Sequence, residues 1–483
     1  MTPEQKGISS RVLEDYLRFL NDNHIPMHNL LIARGEDIVL KTGWAPFDCA
    51  QIHRLYSDTK SFCALAVGFA IDDGYFTLDD TMEKLFPRDL EGQTDENVRR
   101  QTVRNMLMMA TAGYGRSWKD GTDDRVLQYW QEKRPNSRPG GSFFQYDSSG
   151  TFVMGALVER VTGEKLLDYL RRKLFDPIGV SQDVRALYCP GGHTWSDSAF
   201  LMKPEDVYKV LRFCRQKGEW NGKQLLSRKY MEEATSNLIA TDEPEGIEAN
   251  GYGYYIWKAY GEGFFFNGMG SQYALAIPEK ELYFVCNADT QGMKHMTDVI
   301  LGGFYRDVVP TVTNEPLPED PEAQASLARY ASSMRLFAAY GEASSPIEQA
   351  ISGRTFELAE NPMGIERFTL TFGDKECAFD YKNAQGEKHL TFGRCANVFG
   401  EFPQDGYSDL VCGKPGSRRY RCAASAAWSA PTELWLKVQI IDDYYGNMDA
   451  RFHFTPDGQL EKLVMTRTAE AFLDEYVGEA KAR

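Results

Sequence analysis

An α+β domain whose sheet is closed by distant segments, followed by a separate antiparallel β-domain, is the architecture this sequence predicts. Three observations carry it. Strand-like runs stand at both ends of roughly the first 310 residues, with helical periodicity between them. Near residue 310 a Pro-rich acidic stretch, "VVPTVTNEPLPEDPEAQ", interrupts the texture as linkers do. After about residue 350, β-formers alternate or cluster. A chain of 483 residues is also too long for one ordinary core. The expected division is residues 1–312, a linker and helix over 313–349, and a β-rich domain over 350–483.

The elements follow in order. "NLLIARGEDIVLKTGW" reads as two strands joined at Gly35-Glu36-Asp37. In "SDTKSFCALAVGFAIDDG", Phe62, Leu65, Ala66, Phe69 and Ala70 recur at helical spacing, and Gly74 stops the helix. "TVRNMLMMATAG" predicts a second helix closed by Gly113, and "GTFVMGALVERVTGEKLLDYLRRKLF" two more. "YALAIPEKELYFVCNAD" supplies two strands around Pro278-Glu279-Lys280. A helix is expected around "SLARYASSMRLFAAYG". "RFTLTF", "KECAFDY", "ELWLKVQII" and "DARFHFTPDGQLEKLVMT" are strands, with a turn at Pro456-Asp457-Gly458. Together they suggest a small barrel or curled antiparallel sheet.

Composition narrows the function. Apolar residues at 42% and aromatics at 13% are enough to build cores. A net charge of -15 repels phosphate backbones, so nucleic acid is not an expected partner. Nine scattered cysteines without a C-x-x-C pair read as reduced thiols in a cytoplasmic protein. No secretory h-region and no membrane-length apolar run are visible, and no membrane partner is expected. Seven dispersed histidines, with no H-E-x-x-H or Cys/His cluster, predict no metal site. The oligomeric state has no sequence signal.

The chemistry starts at "YSDTKSF". Ser57 and Lys60 stand at i and i+3 at the head of an apolar helix, so they share a face. A hydroxyl becomes a nucleophile when a base takes its proton, and a lysine serves if its surroundings favour the neutral amine. The helix start also presents free N–H groups to developing negative charge. A plain helix cap with a solvated lysine is the competing reading. "PGGSFFQYDSSG" adds Tyr146, whose phenol can shuttle protons near a lysine, and Ser148, which can hydrogen-bond at the same place. No G-x-S-x-G elbow and no phosphate-binding glycine loop are present. The aromatic runs "GYGYYIW" and "GEGFFF" read as core or sheet packing ahead of pocket lining.

With those residues in hand, the chain resembles the β-lactamase and penicillin-binding-protein-like serine hydrolases, in particular the class C-related esterase group. The resemblance covers about residues 10 to 310. It rests on "YSDTKSF", "TVRNMLMMATAG", "PGGSFFQYDSSG" with "ALVERVTG", "LFDPIGV", "GGHTWSDSAFLMKPEDVYKVLRF", "WNGKQLLS" and "GMGSQYALAIPEKELYFV", in the family's order. It implies an antiparallel sheet flanked by helices, plus an all-helical part. Ser57 would be the nucleophile, Lys60 its proton acceptor and Tyr146 the group that protonates the leaving atom. The family's third signature, Lys or His, then Thr or Ser, then Gly, falls on Phe266-Asn267-Gly268. The glycine is kept and the cation is missing. The backbone N–H groups of Ser57 and Met269 would hold the oxyanion, Asn267 would hydrogen-bond substrate, and His193 lies in a stretch resembling a loop near the pocket. Lys41-Thr42-Gly43 matches the third signature letter for letter but precedes the serine, out of the family's order. Lipocalin-like β-domains often follow hydrolases of this family.

The implied activity is an acyl-enzyme serine hydrolase acting on a small ester or amide, with no cofactor. Without the cation, anionic β-lactam or peptidoglycan substrates are less expected than neutral ones. Two alternatives stay open: a D-amino-acid peptidase, amidase or β-lactamase, and a catalytically silent binding protein of the same fold.

Overall fold

The computed structural model describes residues 1–115, 124–407, 415–469, 473 and 476–483. They form two compact units, one of Met1–Arg335 and one beginning at Leu336.

In the first unit, α1 (Ser10–Asp22) precedes a hairpin of β1 (Met27–Arg34) and β2 (Asp37–Gly43). Arg34 pairs with Asp37 across the expected turn. Next comes α2 (Thr59–Asp72), in which every residue from Thr59 to Ala70 is buried. A helix apolar on all sides must lie inside a domain. It packs against α3 (Ser148–Thr162), which ends at Gly163 in a left-handed conformation, φ 73°. An amphipathic helix, α4 (Pro204–Arg215), covers the sheet.

The sheet is completed late in the chain by β3 (Trp257–Lys258), β4 (Phe264–Gly268), β5 (Gln272–Ile277) and β6 (Leu282–Ala288). Its order is β2-β1-β6-β5-β4-β3, antiparallel throughout. β1, β5 and β6 are buried almost end to end, as strands covered on both faces must be. The closure by distant segments is as the sequence predicts. α5 (Pro321–Ser332) starts and stops earlier than its periodicity suggested. Asp320 caps it, and it packs on α1 with the Arg11–Asp320 ion pair at 2.9 Å.

One helix is much shorter than expected. The segment "TVRNMLMMATAG" is helical only over Val103–Leu107, behind a Thr102–Asn105 capping box. Met109 turns left-handed at φ 52°. The carbonyls freed after it are taken by another loop: Gln145 N–H donates to Met109 O at 2.8 Å, and Gly141 N–H to Ala110 O at 2.7 Å. Tertiary hydrogen bonds outweigh helix propensity there.

The second unit is one curled sheet. β7 (Thr355–Glu357), β8 (Arg367–Phe372), β9 (Glu376–Asn383) and β10 (Gly386–Arg394) form an antiparallel run. β11 (Val398–Tyr407) pairs with β12 (Pro415–Ala430), which continues through β13 (Glu433–Ile441), β14 (Tyr445–Phe454), β15 (Leu460–Ala469) and β16 (Gly478–Ala480). Beyond the two end strands, Ala359 N–H donates to Lys481 O at 2.9 Å and Arg483 N–H to Glu357 O at 3.0 Å. Phe368, Phe379 and Phe452 pack edge to face inside the curl. The eight described cysteines are free, and Cys412 lies outside the described residues.

Candidate active site

Ser57 occupies a single 3-10 turn, Tyr56–Asp58, that leads straight into α2. Tyr56 holds φ at 48°. A bulky residue keeps such a conformation only where its surroundings impose it. Here the fully buried Arg54 does so. Its guanidinium lies 4.6 Å over the Tyr56 ring and 4.8 Å over the Trp195 ring, and its Nε donates to Ser198 O at 2.7 Å. Leu55 N–H donates to Phe200 O at 2.9 Å, and Phe200 N–H to Thr59 Oγ1 at 3.1 Å. The serine turn is thus tied to the loop before residue 200.

Lys60 is 2% exposed, whereas Ser57 is only partly covered. The Lys60 Nζ donates to Ser57 Oγ at 2.8 Å and to Asp197 O at 2.9 Å. The Asp197 carboxyl faces the same amine, its Oδ2 at 4.0 Å. The Tyr146 ring centre lies 5.0 Å from Nζ, and that ring stacks on Trp257 at 6.1 Å. Ser57, Lys60 and Tyr146 therefore converge, although Tyr146 stands 86 positions beyond Lys60 in the chain (146 minus 60).

The Tyr146 loop enters α3 through Asp147, whose carboxylate accepts from Gly150 N–H at 3.0 Å and from Tyr129 Oη at 2.9 Å. Burial pushes that carboxyl up to about 6. Ser148 is the first residue of α3, partly exposed beside Tyr146. Of "GYGYYIW", Tyr252, Tyr254 and Tyr255 are core, as expected, while Trp257 carries Tyr146.

The third stretch lies where its glycine requires. A Cβ on Gly268 would sit 2.2 Å from Leu55 O, so only glycine lets β4 approach the serine turn. Phe266 is fully buried, edge-on to Phe62 of α2 at 5.8 Å. Met269 is 44% exposed at the strand end. Gln272 anchors that end, its Nε2 donating to Met269 O at 2.9 Å and Ala288 O at 2.7 Å. Beside it opens a cavity of about 670 Å³, lined among others by Glu243, Glu248, Asn267, Met269, His295 and Asp298. The Asn267 amide donates to Glu248.

Glu248 rises from its ordinary 4.5 to about 7, through burial first and then the Glu243 charge. Its folded-state value exceeds the unfolded one. The stability it contributes is therefore present below about pH 4.5 and lost as pH rises through 7. Glu248→Gln, which keeps the acceptor for Asn267, is expected to match wild type in thermal melts at low pH. Above neutrality it should be more stable by about 1–2 kcal/mol. An equal difference at every pH would count against this.

His193 is held elsewhere: its Nδ1 lies 2.6 Å from Glu159 Oε2 on α3. No described contact joins it to Ser57 or Lys60. The out-of-order Lys41-Thr42-Gly43 lies on edge strand β2, with three strands between it and β4 in the sheet order. Lys41 pairs with Glu205 at 3.3 Å, and Gly43 is small because a Cβ would meet Phe47 O at 2.4 Å. Asp197 carried no sequence signal, standing 137 positions from Lys60. Gln272 also gave none, whereas Trp257 belongs to the aromatic run read as packing ahead of pocket lining. Among the described residues no group of three or more His, Cys, Asp or Glu is placed to hold a metal ion. No described helix is long and apolar enough to cross a membrane.

A family model described as Beta-lactamase matches residues 13–299, more than half of the chain. The chain belongs to the β-lactamase family. Within this family it is similar to the 6-aminohexanoate-dimer hydrolase of Paenarthrobacter ureafaciens, 24% identical over 243 residues, which are 46% of this chain and 59% of that one. It is also similar to the lovastatin esterase of Penicillium rubens, 26% identical over 172 residues, 31% of this chain and 43% of that one. The chain thus spans less than two thirds of these curated relatives. A solved β-lactamase-like structure, a candidate 6-aminohexanoate-dimer hydrolase from Bacillus anthracis, shares the fold. Its TM-score is 0.52 at 16% identity, over 63% of this chain and 83% of that one.

Proposed function

We propose that this β-lactamase-family chain is a serine hydrolase that cleaves a small ester or amide through an acyl-enzyme. Ser57 Oγ attacks the carbonyl carbon, Lys60 takes its proton, and Tyr146 passes that proton to the leaving atom. The N–H groups of Ser57 and Met269 receive the oxyanion, and Ser148 and Asn267 contact substrate. Water then releases the acyl group, and no cofactor takes part. The observation that carries this reading is the 2.8 Å bond from a buried Lys60 amine to a reachable Ser57 hydroxyl. Residues 1–312 are read as the hydrolase domain and 350–483 as a separate β-rich domain.

The acidic side chains around the cavity beside Gly268 and Met269 oppose a carboxylate-bearing substrate. With Phe266 in the core, no cation answers them from that strand position. Both points favour neutral esters and amides over β-lactams.

Incubation with a fluorophosphonate and with p-nitrophenyl acetate tests the proposal. Mass spectrometry is expected to find one adduct, on Ser57, and none in Ser57→Ala. Folded protein that neither reagent acylates would favour the silent binding protein. An adduct on another residue would remove Ser57 from its role.

A further inference from the structure

The hairpin from β4 to β5 is short and strained. Gly268 faces Gln272 across the pair, so Met269, Gly270 and Ser271 alone turn the chain. Gly270 holds φ at 79° and Ser271 at 71°. Glycine accepts that region freely, whereas a serine there is uncommon and needs its neighbours to hold it. They do so here. Ser271 Oγ lies 2.6 Å from Thr290 Oγ1, and Thr290 N–H donates to Gly270 O at 3.2 Å.

Gln272 closes this turn from within. The residue is fully buried, and its Nε2 donates to Met269 O at 2.9 Å and to Ala288 O at 2.7 Å. Its Oε1 accepts from Asn287 Nδ2 at 3.0 Å. Both amide hydrogens are thus used. Carbonyl oxygens can only accept, so these two fix which end of the amide is nitrogen. On the other side of Met269, Gly268 packs against Leu55 O, where a Cβ would come within 2.2 Å. Met269 is therefore held from both ends, by the close approach of β4 before it and by the Gln272 amide after it. Among the described residues no hydrogen bond takes the main-chain N–H of Met269 or of Ser57. Open N–H groups in turns so tightly held are suited to receive negative charge as it develops.

We infer that Gln272 is a positioning residue, which keeps the Met269 N–H aimed at the carbonyl oxygen of a bound ester or amide. The inference rests on the hydrolase reading above and adds the group that preorganises half of its oxyanion site. As Ser57 Oγ bonds to the carbonyl carbon, the C=O π pair moves onto oxygen and the serine proton passes to Lys60. The new oxyanion accepts from the two open N–H groups. Gln272 touches neither the substrate nor the reacting atoms. It acts by restricting rotation about Met269 through that residue's carbonyl. A donor lowers the barrier fully only if it stands in place before the charge forms, since reorganisation during the reaction would add to the barrier.

The test is pre-steady-state kinetics with p-nitrophenyl acetate, together with binding of an aryl trifluoromethyl ketone, in wild type and Gln272→Met. Methionine keeps the length of the side chain and gives neither carbonyl a hydrogen bond. Acylation per folded molecule is expected to slow about 10–100-fold, with the ester's dissociation constant within about 2-fold of wild type. The ketone, which Ser57 converts to a tetrahedral oxyanion, should bind more weakly by the same factor. A melting temperature that falls while the acylation rate stays would mark a merely structural amide and overturn the proposal. So would weaker ester binding at an unchanged rate, or ketone binding that does not follow the rate. Gln272→Glu, which can serve at most one of the two carbonyls, replaces the methionine variant if that one fails to fold. Asn287→Leu, which removes only the bond to Oε1, decides if neither folds. Each is expected to show the same pattern at smaller amplitude, and an unchanged acylation rate in the variant used overturns the proposal. Wild type that neither p-nitrophenyl acetate nor a fluorophosphonate acylates overturns the hydrolase reading itself. Acylated wild type beside a variant of unchanged rate overturns only the role of Gln272.

Discussion

Replacing Lys60 with methionine is expected to slow p-nitrophenyl acetate turnover by about 10²–10⁴-fold, the range for losing a positioned base. It should also change how stability depends on pH. Lys60 is buried among three buried carboxyls, those of Asp58, Asp147 and Asp197. Burial raises all three, and the Lys60 charge opposes each rise. Methionine fills the same volume and removes that opposition, so the carboxyls hold their protons more tightly still. Folded-state values above the unfolded ones mean stability that is present in acid and lost as pH climbs through the folded values. For wild type those are about 6 for Asp147 and about 7 for Asp197. The Lys60→Met deficit in melting temperature should therefore be small near pH 5 and grow toward pH 8. The matching loss of unfolding free energy should approach the ~3–5 kcal/mol seen when one partner of a buried charge pair is deleted. Melts and turnover on the same samples measure both effects. A deficit that ignores pH would show that the amine does not compensate these carboxyls.

The second large effect is expected at Gly268. A methyl group there would sit 2.2 Å from Leu55 O and 2.8 Å from Gln272 Cβ. Leu55 O is main chain, hydrogen-bonded to Asp58 N–H in the serine turn itself at 3.2 Å. Relief of the clash must move either that turn or the end of β4. Gly268→Ala should cost about 1–3 kcal/mol, as overpacking does, and about 10²-fold in turnover, as a misplacement near 1 Å does. Gly43 supplies the control, because a Cβ there is equally crowded, 2.4 Å from Phe47 O, but at the other side of the sheet. Gly43→Ala should lose stability and keep its turnover number. If both variants lose turnover alike, the effect is general and β4 has no special place beside Ser57.

The contrast between those two glycines shows how much of the site was legible beforehand. Local signals survived: serine and lysine one helical turn apart, a tyrosine in a loop before an apolar helix, a strand glycine followed by a strong strand. Each depends on neighbours in sequence. Chain order set Phe266-Asn267-Gly268 apart from its letter-for-letter counterpart Lys41-Thr42-Gly43, and the two lie on different strands of the sheet, β4 and the edge strand β2. What stayed hidden depends on partners far along the chain. Asp197 reaches Lys60 because the pairing of His53–Arg54 with Leu201–Met202 draws its loop in. The second helix failed beyond Leu107 because carbonyls needed by the Tyr146 loop lie where its last turn would be. His193 kept its place in the motif order but was claimed by Glu159. In the β-domain the alternating strands were readable, whereas Val398–Tyr407 and the long Pro415–Ala430, rich in Gly, Ala and Arg, were not.

The order of strands in the first sheet has a consequence during synthesis. β1 is made early, yet its second neighbour β6 spans Leu282–Ala288. Until the ribosome has released that segment, one edge of β1 is an open row of amide and carbonyl groups, and β4 has no scaffold against which to approach Leu55. Nascent chains ending before residue 282 should therefore be inert and prone to misassociation, despite already containing Ser57, Lys60, Tyr146 and Asp197.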